Sequence, residues 1–112
     1  MVRISYSHEF LKQLKHLAKK YKSIADDLEV LRDELRKNPY AGADLGCGAR
    51  KVRMSIRSKG KGKSGGARVI TYLLSVIEEN VDITLLTIYD KSERESITDN
   101  EIKALIQDIE NE

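Results

Sequence analysis

The sequence predicts an α+β domain in which an antiparallel sheet carries a helical hairpin on one face and is followed by a carboxy-terminal helix, in the order β-α-α-β-β-β-α. Three observations predict it. Apolar and polar residues alternate at the amino terminus and again from residue 51; apolar residues recur at spacings of three and four between residues 10 and 35; and a second helical stripe follows a capping signal at residue 98.

Val2, Ile4 and Tyr6 alternate with Arg3 and Ser5, which suits a short strand with one buried face. Ser7 is placed to cap a helix whose apolar positions are Phe10, Leu14, Leu17 and Tyr21. Ser23, with Asp26 three residues on, signals a second helix with the stripe Ile24, Leu28, Leu31 and Leu35. That helix is expected to stop at Lys37, because Pro39 pushes Asn38 out of the helical region. Residues 40–49, with three glycines, read as a loop. Residues 51–57 alternate again, residues 67–77 form a nearly continuous apolar strand expected to be covered on both faces, residues 78–82 turn, and residues 83–89 return. Thr98 and Glu101 make a capping box ahead of Ile102, Leu105, Ile106 and Ile109.

At 112 residues the chain supports one hydrophobic core, so residues 1–112 are read as a single domain. No stretch has the length and apolarity of an export signal or a membrane span, and the single Cys47 has no disulfide partner. His8 and His16 make no zinc-type cluster; they are read as surface or staple residues. The expectation is a cytoplasmic protein with no membrane association, metal or cofactor.

Charge is segregated. Residues 50–68 hold eight Lys or Arg and no acid, whereas residues 69–112 hold three basic and eleven acidic residues. A compact cationic stretch suits a phosphate-rich partner, since each neutralised phosphate releases counterions; its plainer use is as a solvated basic hairpin. Pairing Ile56 with Val69, Met54 with Thr71 and Val52 with Leu73 buries one apolar face and sets Arg53, Arg57, Arg68 and Tyr72 on the other. Like charges that close favour an anion between them. Gly62-Lys63-Ser64 resembles the end of a nucleotide-binding P-loop, but Arg57 stands where that motif requires its first glycine, and the segment joins two strands. It reads instead as a flexible cationic loop, with Lys59, Lys61 and Lys63 available to RNA.

Arg50-Lys51-Val52-Arg53, the run from Lys59 through Arg68 to Tyr72, and Leu85 through Tyr89, Asp90 and Lys91 to Glu93 together look like the core of HigB-type toxins of the RelE superfamily. The similarity is closest over residues 50–95 and elsewhere rests on element order. It implies a toxin of a type II toxin–antitoxin system that cleaves messenger RNA on the ribosome and is restrained by a cognate HigA-like antitoxin. It further implies that Lys51, Arg53, Arg68, Lys91 and Arg94 surround the scissile phosphate, with Tyr89 beside them; the charged face and the cationic loop add Arg57, Lys59, Lys61, Lys63 and Tyr72, with Tyr89, as expected RNA contacts. Relatives often carry a Tyr or His at the carboxy-terminal end of the site for proton transfer. Here that stretch is Glu95-Ser96-Ile97-Thr98, which leaves Lys51, Lys91, Tyr89 or Glu93 for the task. Two other readings share the fold: a ParE-like inhibitor of DNA gyrase, and an inactive relative that only binds RNA or antitoxin.

Overall fold

The computed structural model describes residues 1–111, and among these five strands form one mixed sheet in the order β1-β5-β4-β3-β2. The strands are β1 (Val2–Tyr6), β2 (Ala43–Gly46), β3 (Ala49–Met54), β4 (Ala67–Ile77) and β5 (Asn80–Asp90). Helices α1 (His8–Ala18) and α2 (Ile24–Lys37) follow β1, a single 3₁₀ turn covers Arg57–Lys59, and α3 (Asp99–Glu110) closes the chain. The α+β class stands, but two details of the expected layout change. β1 runs parallel to β5, so the sheet is not wholly antiparallel. Ala43–Gly46, expected as loop, pairs antiparallel with β3, so the observed order is β-α-α-β-β-β-β-α.

The two helical layers follow from the apolar stripes. Phe10, Leu17, Leu31 and Leu35 bury one face of the hairpin against Val52, Met54, Val69, Ile83 and Leu85. On the opposite face Ile102 of α3 packs with Ala49, Ile70, Leu86 and Tyr89. Ser7 caps α1 by accepting from the Phe10 amide at 3.0 Å, and its own hydroxyl donates to the Leu86 carbonyl at 2.7 Å, fixing the helix start to β5. Thr98 and Glu101 form the expected capping box. Ser23 stands at the N-cap of α2 but makes no side-chain cap bond. Its hydroxyl donates instead to Asp27 at 2.6 Å and accepts from the Ser58 amide at 2.9 Å, joining the helix to the loop after β3.

That loop explains the largest revision of register. Val69 pairs with Val52, not Ile56, and Arg68 lies opposite Arg53, not Arg57. An even slide keeps every side chain on its expected face while changing its partner. The strand stops at Met54 because Asp27 captures the next segment, accepting from the Arg57 amide and from Arg57 Nε, both at 3.2 Å. β4 spans the expected residues but is buried on both faces only from Ala67 to Thr71; beyond, Leu74, Val76 and Ile77 are exposed. β5 starts at Asn80, earlier than expected, because Glu78 adopts a left-handed conformation (φ 56°) and turns the chain at once.

The loop is anchored by Asp90 at the end of β5, whose side chain is fully buried. Asp90 accepts from Lys59 Nζ at 2.6 Å, from the Tyr21 hydroxyl, and from the amide and hydroxyl of Ser92 at 2.9 and 2.8 Å. Burial alone would raise its pKa, but the donors from Lys59, Tyr21 and Ser92 outweigh it and hold the carboxyl well below the usual carboxylate range. The same hydrogen bond to Asp90 pushes the Tyr21 hydroxyl upward.

Asp90→Asn leaves the Lys59 ammonium, on a side chain only 14% exposed, without its counter-charge and is expected to cost about 3 kcal/mol at neutral pH, read by urea denaturation. Because the folded state depresses the Asp90 pKa, its stabilisation is complete above the unfolded value of about 3.9 and fades as pH falls through the folded value. The stability gap between wild type and Asp90→Asn should therefore narrow only below about pH 4; a gap that is flat from neutral to acid contradicts this role.

Candidate functional site

Pairing of β3 with β4 sets Arg53 directly opposite Arg68, and Arg68 in turn lies opposite Tyr89 of β5, making one row across the sheet. Lys51, two residues from Arg53, projects from the same face. Beside this row lies a cleft of about 470 Å³ whose walls include Lys51, Arg53, Lys63, Arg68 and Lys91, with Glu34 of α2 as their acidic neighbour. The structure thus brings together Lys51, Arg53, Arg68 and Lys91 and adds Lys63 to them.

Two glycines make this arrangement possible. Gly42 has φ 95°, and a Cβ there would lie 2.4 Å from the Lys51 carbonyl oxygen, so only glycine lets the chain entering β2 lie against β3. A Cβ on Gly66 would lie 2.2 Å from the Met54 carbonyl oxygen, so this residue closes the loop tightly onto the end of β3. Gly66 also accepts from the Lys91 amide at 3.1 Å, which holds the segment after β5 at the cleft.

Arg68 itself is 4% exposed. Its guanidinium donates to the carbonyl oxygens of Lys63, Ser64 and Ala67 at 3.1, 2.9 and 3.2 Å. It lines the cleft while organising the loop that delivers Lys63. Lys63 Nζ meets Glu34 at 3.3 Å across the cleft. Among the described residues, no carboxylate partner is found for Lys51, Arg53 or Lys91.

The remaining candidates lie elsewhere. Arg57 is drawn by Asp26 and Asp27 of α2, at 3.6 and 3.2 Å, so it leaves the face on which alternation had placed it. Lys59 is only 14% exposed and committed to Asp90. Lys61 is exposed in the loop and does not line the cleft. Tyr72 packs with the α3 core, its hydroxyl 3.4 Å from Glu110, and burial raises its pKa. Arg94 stacks over the Tyr89 ring at 5.7 Å, donates to the Ser96 carbonyl at 2.9 Å and pairs with Glu101. It therefore faces a separate cleft of about 170 Å³ shared with Glu93 and His16.

Neither of the two extra proton-transfer candidates lines the cationic cleft. The Tyr89 hydroxyl is buried and, among the described residues, has no hydrogen-bond partner. Burial raises its pKa, against the opposing pull of Arg68 and Arg94, which disfavours the phenolate. Glu93 accepts from Lys20 at 3.0 Å and meets His16 Nε2 at 3.2 Å, contacts that lower its pKa and tie the post-β5 turn to α1. Sequence reasoning missed Glu34 and Asp90. Glu34 lies on the flank of an ordinary amphipathic stripe, and nothing in its spacing marks it as a cleft residue. Asp90 does carry a signal, an acid ending an apolar strand, since such a carboxylate needs a buried partner.

Chemically the cleft offers point charges from lysines and a guanidinium fork from Arg53, suited to a phosphate-bearing chain. The chain matches no known protein-family model.

Gly66→Ala should force the loop off β3, lowering the melting temperature and perturbing the Arg68 and Lys91 resonances together in NMR spectra. Arg68→Ala should destabilise the fold by about 1 to 3 kcal/mol, since the carbonyls of Lys63 and Ser64 in the loop and of Ala67 at the start of β4 lose their donor. An Arg68→Ala protein as stable as wild type would show that these bonds hold nothing in place.

Proposed function

We propose that this chain is a toxin of the RelE superfamily, nearest the HigB branch, that binds messenger RNA through the Lys51–Arg53–Lys63–Arg68–Lys91 cleft and cleaves it on the ribosome. The observation that carries this reading is the convergence of Lys51, Arg53 and Lys91, without carboxylate partners among the described residues, on one cleft with Arg68. It supports a site for consecutive phosphates, where fixed cations stabilise the charge that grows as a 2′-hydroxyl gives up its proton and attacks phosphorus, while the bond to the 5′-oxygen breaks and that oxygen takes up a proton, leaving a 2′,3′-cyclic phosphate. The resemblance over residues 50–95 supplies the class of reaction, and the cationic set supplies the electrostatic part of it. In this reading Arg53 grips the phosphate, Lys51 and Lys91 are the candidates for proton transfer, and the ribosome completes the constellation. A cognate antitoxin of HigA type restrains the protein.

Two features support keeping an RNA-binding relative without nuclease activity as the second reading. The Arg68 guanidinium is engaged by its own loop, and Tyr89 and Glu93 lie outside the cleft.

Tightly controlled expression in bacterial cells, with mapping of messenger 5′ ends, tests the proposal. The expected result is growth arrest with new 5′ ends on translated messages, abolished by Arg53→Ala. Arrest with intact messages and altered DNA topology would instead support a ParE-like gyrase inhibitor. In solution, Arg53→Ala should weaken binding of single-stranded RNA and reduce the slope of log K against log salt by about 0.7, the contribution of one phosphate contact. An unchanged slope removes Arg53 from the interface.

A further inference from the structure

A third pocket, of about 200 Å³, lies between α2 and the end of β3, and it shares Glu34, Arg53 and Lys63 with the cationic cleft. Its own walls are different in kind. Leu31 and Met54 form a buried apolar floor, and Val30, 52% exposed, stands at the mouth. Asp27 and Arg57 close the far end, paired to each other. Val30 lies beside the Leu31 stripe on a solvent-facing part of α2, where an exposed branched apolar side chain gains nothing for the helix itself.

We propose that this pocket takes a nucleobase of the RNA whose phosphates occupy the cationic cleft; the inference rests on the phosphate-binding reading of that cleft. The two spaces meet at the Glu34–Lys63 pair, so a ligand filling both must join a flat apolar body to an anion over a short distance. A nucleotide in a single strand has that composition, with its base free to leave the stack and enter an apolar slot. The pocket is below the ~300–1,000 Å³ of sites that enclose a whole small ligand, which suits one ring system held from outside by its backbone. The rim favours this occupant over an apolar protein side chain. Arg53 and Lys63, shared with the cleft, attract an anionic chain, and Val30, Leu31 and Met54 offer van der Waals contact to a base. Leu31 and Met54 are then specificity elements acting through shape, beside cations indifferent to sequence.

The test compares a short single-stranded RNA with versions carrying one abasic nucleotide at each successive position, measured by fluorescence anisotropy against wild type and Val30→Met. Val30→Met extends a neutral side chain into the pocket and keeps a good helix former on an exposed site. Wild type should lose about tenfold in affinity when one particular base is removed. Val30→Met should bind the intact RNA as weakly as wild type binds that abasic version, and should bind the abasic version with wild-type affinity. Val30→Gln, checked by circular dichroism, gives the same comparison should Val30→Met prove unstable. Equal binding of intact and abasic RNA by wild type overturns the base pocket while leaving the phosphate cleft standing. Intact-RNA binding that ignores both Val30 variants overturns it too. Absence of RNA binding by wild type overturns the phosphate reading and this inference with it.

Discussion

Asp90 is a carboxylate placed where none should be stable, and the loop carrying the basic residues depends on the solution to that problem. Its side chain is fully buried at the end of β5, and it remains an anion because Lys59, Tyr21 and Ser92 all donate to it. Those donors come from three different parts of the chain: the end of the helical hairpin's first arm, the 3₁₀ turn, and the exit from β5. One charge therefore fixes the start of the loop after β3 relative to both layers of the fold. A second carboxylate, Asp27, does the same from α2 by taking the amide and side chain of Arg57. Two acids thus convert a Gly- and Lys-rich segment that would otherwise be flexible into a shaped wall.

The electrostatic consequence is a sorting of like charges. Of the basic residues between 50 and 68, Arg50 is held by the Tyr40 carbonyl and ring, Arg57 by α2, and Lys59 by Asp90. With these engaged locally, Lys51 and Arg53 face the cleft, where Lys63 and Lys91 join them. Arg68 has a structural task within the same site, since its guanidinium holds the loop carbonyls. Arg53 and Arg68 can stand opposite each other because Arg68 faces those carbonyl dipoles, which lower the cost of two adjacent cations. Glu34 pairs with Lys63 at the junction between the cleft and the apolar pocket, so an anionic chain entering there competes with a carboxylate already in place.

The sheet explains why the charged face is open. The helical hairpin covers one side, while α3 packs on the other against Ala49, Ile70 and Leu86, which lie on the same three strands as the row formed by Arg53, Arg68 and Tyr89 but a few residues along them. Tyr89 marks the border: its ring belongs to the α3 core and its neighbours are two arginines. The cationic surface is thus built on a rigid ladder, with only Lys63 and Lys91 contributed by loops.

The sequence by itself determined the helices, the long hairpin and the assignment of side chains to faces, because periods of 3.6 and 2 are local and survive any even slide of register. Val52 and Met54 were bound to share one apolar face, and Lys51 and Arg53 the other, whichever partner they met; that the helical hairpin covers the first was a matter of tertiary packing. Only the tertiary structure decided the partners. That Val52 meets Val69, that Arg57 leaves the charged face, that Ala43–Gly46 becomes an edge strand and that β1 runs parallel to β5 all depend on contacts between residues far apart in the chain. Alternation cannot report a carboxylate on α2 waiting for an arginine, nor a buried acid on β5 waiting for a lysine. The basic stretch from 50 to 68 was therefore visible as charge, but which of its members face the cleft was settled by tertiary contacts, among them the acids that claimed Arg57 and Lys59.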